Sequence, residues 1–184
     1  MEHVDLIRLL REAGKLKRTR RTGWVEAGVR DPESVADHSY RVALLSMLLS
    51  DQQGLDTLKA VRMALLHDLA EAVTGDLTPR QKTPDHEAEE LRAFKGLVAG
   101  LPPPQRRAYE AAMDEYAKGE TGEAALVRAA DRLEMVLQAL EYVESGSKAD
   151  LAQFMDIQVP VEYAALYKKM LEGVPSRQPG LGHA

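Results

Sequence analysis

The chain has 184 residues, of which 45% are hydrophobic and 29% charged, with 24 Lys and Arg against 29 Asp and Glu. That length suits one domain around one core, and the formal net charge of −5 speaks against non-specific nucleic-acid binding, which needs basic patches. The absence of cysteine excludes disulfides, thiolate chemistry and Cys-ligated zinc, so any metal must rest on His, Asp or Glu.

The apolar periodicity predicts helix after helix, an all-α chain. The first helix is expected over about residues 3–14, and Glu2, Asp5 and Arg8 break up its apolar positions. Neither a signal peptide nor a membrane span is therefore expected there. No window reaches the ~18 uninterrupted apolar residues of a spanning helix, so a cytoplasmic protein without membrane partners is expected. A basic irregular segment follows, holding Lys15, Lys17, Arg18, Arg20 and Arg21, then Gly23 and Trp24. The second helix should start near Ser34 and stop at Gly54; its run Val42 to Leu49 is apolar almost all round and is expected to be buried. Asp56 should cap a third helix over about residues 57–72, and Thr74 to Pro84 reads as a loop. Thr83 with Pro84 opens a fourth helix that ends before Gly100. The prolines 102–104 turn the chain into a fifth, to about Lys118. Thr121 opens a long sixth helix to about Glu144, with Gly146 ending it. Ser147 is expected to cap a short helix, and Pro160 to open the last, to about Leu171. One domain over 1–172 and a flexible tail over 173–184 result.

Four residues stand where polar groups cost free energy. His38 lies just ahead of the apolar run Val42 to Leu49, His67-Asp68 follows Ala64-Leu65-Leu66, and Asp131 is embedded among Leu126, Val127, Ala129, Ala130 and Leu133. A buried charge must be paired or bound to metal, and three helices each aiming such a group inward describe a metal site in a bundle core. At ~100° per residue, a continuous third helix would point His67 and Glu71 within about 40° of each other. Taken singly, each of these residues has an ordinary structural reading. As a set, imidazole and carboxylate oxygen suit Mn, Co, Fe, Zn or Mg.

The order His38, His67-Asp68, Asp131 resembles the HD-domain superfamily of metal phosphohydrolases. The flanks Pro32-Glu33-Ser34-Val35-Ala36-Asp37-His38-Ser39-Tyr40-Arg41, His67-Asp68-Leu69-Ala70-Glu71, Thr74-Gly75-Asp76 and Ala130-Asp131-Arg132-Leu133-Glu134 are similar to its 5′-deoxynucleotidase group, as is Arg21-Thr22-Gly23-Trp24. The resemblance spans about residues 5–170 and implies a helical bundle holding one divalent ion on His38, His67, Asp68 and Asp131. Cobalt or manganese is the expected metal, with zinc, iron and magnesium as alternatives. It implies that Glu71 orients or deprotonates the attacking water or protonates the leaving oxygen, and that Asp76 lies near the leaving sugar oxygen. Trp24 is expected to press on the deoxyribose and leave no room for a 2′-hydroxyl. Arg21 is the expected phosphate ligand, with Arg18 and Arg20 as rivals, because some members carry Arg directly before the Trp where this chain has Gly23. Lys82 is a further phosphate candidate.

His3, His86 and His183 match no ligand position, so a single ion is expected. The substrate implied is a 2′-deoxyribonucleoside 5′-monophosphate, with slight base selectivity because the motif segments hold no second aromatic or amide cluster. A homodimer is the implied assembly. The alternatives are a broad-specificity HD phosphohydrolase and a nucleotide-sensing HD module without turnover. A cyclic-dinucleotide phosphodiesterase would need additional His ligands and a Gly-Tyr-Pro signature.

Overall fold

The computed structural model describes residues 3–172, with side chains from Asp5 onward. The tail expected over 173–184, with His183, lies outside the described residues. Ten α-helices carry this part: α1 (His3–Ala13), α2 (Thr22–Glu26), α3 (Val35–Gln53), α4 (Thr57–Leu66), α5 (Glu71–Thr74), α6 (Pro84–Val98), α7 (Pro103–Lys118), α8 (Gly122–Glu144), α9 (Ala152–Met155) and α10 (Ala164–Glu172). Short 3₁₀ turns cover Gly14–Lys17 and Val161–Tyr163. The described residues hold no β-strand, only a bridge between Arg20 and Ser34, so the protein is all-α.

Local chemistry sets the boundaries. Ser34 and Asp37 form a reciprocal capping box that starts α3, and Gly54 ends it with φ 68°. Asp56, Thr83 and Thr121 cap α4, α6 and α8 through their side chains. The central stack is α3 against α4 and α8, with Val42, Met63, Leu126, Val127 and Leu133 fully buried between them. A second cluster, built on Val35, Leu69, Phe94 and Val98, joins α6 to the segment after α4.

Three expectations change. The helix α3 is not buried all round: Ser39, Ala43, Ser46 and Ser50 face inward, while Tyr40, Leu44, Met47 and Leu48 remain exposed. Small inward residues let α4 and α8 approach closely and turn the larger ones out. The third helix is not continuous either. It ends at Leu66, and residues 67–70 form a tight turn before α5. Leu69 N–H donates to Leu66 O, Glu71 N–H to Asp68 O and Ala72 N–H to Leu69 O, all at three-residue spacing. His67 Nδ1 meets Ala64 O at 2.7 Å, occupying a carbonyl that an α-helix would give to Asp68. Finally, Ser147 caps no helix; it accepts from Ala149 N–H, and α9 begins at Ala152. The irregular basic segment contains one further short helix, α2, which carries Trp24.

Candidate metal centre

The tight turn rearranges the groups it carries. In 3₁₀ geometry residues three apart eclipse, so Asp68 and Glu71 share a side, whereas His67 and Glu71 diverge by about 120° rather than the 40° of an α-helix. His67 and Asp68 then face His38 from α3 and Asp131 from α8. His67 Nε2 lies 3.2 Å from Asp68 Oδ2, and His38 Nε2 lies 3.1 Å from Asp131 Oδ1 and 3.7 Å from Asp68 Oδ2. Ligand atoms of His38, His67 and Asp68 all fall within 4.8 Å of one another.

The rings are oriented from behind. His38 Nδ1 meets Glu134 Oε2 at 2.5 Å, and Glu134 Oε1 in turn accepts from Arg41 Nε at 2.8 Å. With Nδ1–H donated to Glu134, and to Ala64 O in the case of His67, both lone pairs sit on Nε2. Both Nε2 atoms are buried without a hydrogen-bond partner. Leaving such atoms orphaned costs about 1–3 kcal/mol each. A divalent cation among His38, His67, Asp68 and Asp131 satisfies them, so the donor set fits the metal that the motifs imply. The electrostatics agree. Against the cost of burial, the Asp131 and Glu134 carboxylates raise the His38 imidazole to about 10, and His67 is raised by Asp68 despite its burial. Burial opposes the ionisation of Asp68, but His67, Arg21 and His38 hold it well below the usual carboxylate range. The cluster demands positive charge.

The motif alone assigns Glu134 no role; its position three residues after Asp131 on the inward face of α8 is the signal that points to one. Glu134→Gln should lower metal affinity about 10–100-fold, the usual effect of losing a carboxylate behind a ligating histidine. Titration of metal-stripped protein with cobalt would measure it, and unchanged affinity would remove Glu134 from the centre.

Glu71 is 5% exposed, and its Oε2 has no partner. Burial, reinforced by the charges of Asp68 and Asp76, pushes its carboxyl up to about 10. Arg21, at the N-cap of α2, reaches Asp76 Oδ1 at 2.9 Å and Asp68 Oδ2 at 3.3 Å. Asp76 also accepts from Thr22 N–H at 2.5 Å. Arg20 is directed away, donating to Pro32 O at 2.7 Å, and Arg18 is exposed. Lys82 pairs with Glu90 at 2.9 Å, and that partner raises its ammonium against the cost of burial. His86 contacts Thr83 and stays outside the cluster.

Trp24 is 2% exposed, its indole N–H donated to Glu33 Oε1 at 2.9 Å and its ring packed edge-on to Tyr142. It backs a cavity of about 400 Å³ that also touches Arg21, Asp76, Met135 and Phe154. Glu33 and Phe154 carried no role in the sequence. Glu33 is raised to about 7 by burial and the nearby Glu134 charge, eased by Trp24.

A model of the HD domain family matches residues 13–170. The chain is 41% identical over 146 residues to 5′-deoxynucleotidase HDDC2 of Homo sapiens, covering 78% of this chain and 71% of that protein. It is 37% identical over 147 residues to 5′-deoxynucleotidase YGK1 of Saccharomyces cerevisiae, covering 76% and 68%. Among solved structures, a conserved hypothetical protein from Pyrococcus furiosus aligns with a TM-score of 0.73 at 40% identity, over 90% of this chain and 96% of that one. A predicted metal-dependent phosphohydrolase from Magnetospirillum magnetotacticum aligns at 0.70 and 25% identity, over 92% and 90%.

Proposed function

The chain belongs to the HD domain family, and on that footing we propose that it is a metal-dependent 5′-nucleotidase converting 2′-deoxyribonucleoside 5′-monophosphates to deoxynucleoside and phosphate. The observation that carries this reading is the continuity of the site: Arg21 and Asp76 border both the cluster of orphaned imidazoles and the cavity backed by Trp24. A phosphate at one end and a sugar at the other fit that arrangement. Relatives that carry the name 5′-deoxynucleotidase support it. No described helix is long and apolar enough to cross a membrane.

His38, His67, Asp68 and Asp131 would hold a divalent ion, cobalt or manganese in our assignment, which when bound would supply Lewis-acid chemistry toward phosphoryl oxygen and water. The remaining work falls to the chain. The Arg21 guanidinium, steadied by Asp76, orients the phosphate. Lys82 adds positive charge on the Glu71 side. Glu71, kept protonated by burial and by its carboxylate neighbours, donates its proton to the 5′-oxygen as the P–O5′ bond breaks and the water oxygen bonds to phosphorus; the proton the water sheds passes to the carboxylate left on Glu71 and restores the acid. Asp76 stands beside that leaving oxygen.

Trp24 sets the sugar preference. An apolar pocket alone discriminates against an added hydroxyl by only about 10²-fold, so a rigid ring held by Glu33 and Tyr142 must add a clash. Because Trp24 belongs to a core cluster, truncation to alanine would cost about 3–5 kcal/mol. Trp24→Phe is the cleaner variant: it should narrow the gap in kcat/KM between dAMP and AMP and leave metal content intact. Equal discrimination in both proteins would refute the role of the indole. The reading as a whole is tested by phosphate release from all ribo- and deoxyribonucleoside 5′-monophosphates with cobalt, manganese, magnesium, zinc and iron. Equal rates on dAMP and AMP would make the protein a general nucleotidase; release from none would overturn the proposal.

A further inference from the structure

The motif segments hold no second aromatic or amide cluster to meet a base, yet the cavity has a second aromatic ring. Phe154 enters from α9, outside every motif, and its ring lies 4.1 Å from that of Trp24 at an interplanar angle of 44°. Its place depends on Gly23. A Cβ at position 23 would stand 3.1 Å from Phe154 Cε1 and 3.5 Å from Cζ, close enough that the ring would have to give by a few tenths of an ångström. Phe154 is half-buried: one side rests on Trp24 and Gly23, and the rest lines the cavity. Gln153 and Arg80 complete the mouth.

We propose that Phe154, admitted by the missing side chain of Gly23, is the platform on which the nucleobase of the substrate stacks. The proposal rests on the nucleotidase reading above. Its logic is that one cavity touches both Arg21 and Asp76, which reach the cluster at Asp68, and the aromatic rings of Trp24 and Phe154. A nucleoside 5′-monophosphate carries its base on the far side of the sugar, where Phe154 offers an aromatic surface and Gln153 and Arg80 offer polar groups. The volume of about 400 Å³ is in the range of small-molecule sites. Every base has a π-face, so a stacking platform accepts all of them. Slight base selectivity then follows from the surface that is present. The larger purines gain most, and the amide of Gln153 supplies a weak edge contact.

The test compares dAMP with 2-deoxyribose 5-phosphate, which has the sugar and phosphate but no base, on the metal-loaded protein. In Phe154→Ala the ratio of kcat/KM for dAMP to that for the base-free ester should fall about tenfold or more, through KM, as stacking losses on alanine substitution do. Phe154→Leu keeps apolar packing against Trp24 and removes the π-face, so it should shift the ratio the same way in a folded protein. Gly23→Ala should reproduce part of the shift by displacing the ring. An unchanged ratio in Phe154→Leu overturns the proposal. A readout free of turnover comes from Trp24, the chain's one tryptophan. Titration with 2′-deoxyadenosine should quench its fluorescence saturably in wild type and need about tenfold more nucleoside in Phe154→Leu. Should wild type release phosphate from no nucleotide, the nucleotidase reading falls, and this titration still decides the platform: the same midpoint in both proteins overturns it.

Discussion

Asp68→Ala is expected to strip the protein of its divalent ion and reduce phosphate release below detection, with His67→Ala behaving alike. Asp68 Oδ2 is the atom the other groups share: it lies 3.2 Å from His67 Nε2, 3.7 Å from His38 Nε2 and 3.3 Å from Arg21 Nη1. Removing it leaves two imidazole lone pairs facing Asp131 alone and leaves Arg21 held only by Asp76. Chelation of the wild-type protein should have the same effect on turnover, reversed by added metal. Elemental analysis after gel filtration measures occupancy, and helicity by circular dichroism separates metal loss from unfolding, since a bound ion also stabilises the fold. Full stoichiometry in both folded variants would dismantle the ligand assignment.

Glu71→Ala should behave oppositely on occupancy and almost as severely on rate: metal retained, kcat lower by about 10²–10⁴-fold, the usual contribution of a general acid or base. The side chain is buried, carries no hydrogen-bond partner on Oε2 and stands on the same side of the turn as Asp68. Burial and two neighbouring carboxylates hold its proton, which is the state a donor to the leaving oxygen requires. Glu71→Gln preserves shape and the ability to donate a hydrogen bond but cannot give up a proton, so it should be nearly as inactive. Single-turnover measurements at fixed metal occupancy decide the matter. Near wild-type chemistry in the glutamine variant would show that Glu71 transfers no proton.

The candidate cluster was legible as a set, because His38, His67-Asp68 and Asp131 interrupt apolar helices and stand in the motif order. Their arrangement was not. The third helix reads as continuous in sequence, since no glycine or proline breaks it before Gly75. What breaks it is the His67 ring taking the Ala64 carbonyl while the site pulls the turn tight, a competition settled by tertiary contacts. The one-sided burial of α3 was hidden for a similar reason: Tyr40, Leu44, Met47 and Leu48 are as hydrophobic as a core face, and only the close approach of α4 and α8 to Ser39, Ala43, Ser46 and Ser50 reveals which side is inside. Phe154 was out of reach because α9 is four residues long and carries no periodic signal. Its proximity to Trp24 depends on chain reversal after α8. Gly23 was visible as a departure from the family pattern, but its consequence lies in space, not in spacing.

The tight turn over residues 67–70 also governs how the molecule fluctuates. The amides of Leu69, Glu71 and Ala72, in it and just after it, are held by three-residue hydrogen bonds, which have poorer geometry than those of an α-helix. The turn nevertheless carries two of the four proposed ligands, and the other two stand on α3 and α8. A cation seated there acts as a clamp between this weakly held segment and the most deeply buried helices. Without it, amide hydrogens from Leu69 to Gly75 should exchange through a local opening that leaves the α3–α4–α8 stack closed. The free energy of that opening should then track metal activity in the surroundings, and the chain should become accessible to proteases at this turn well before it unfolds as a whole.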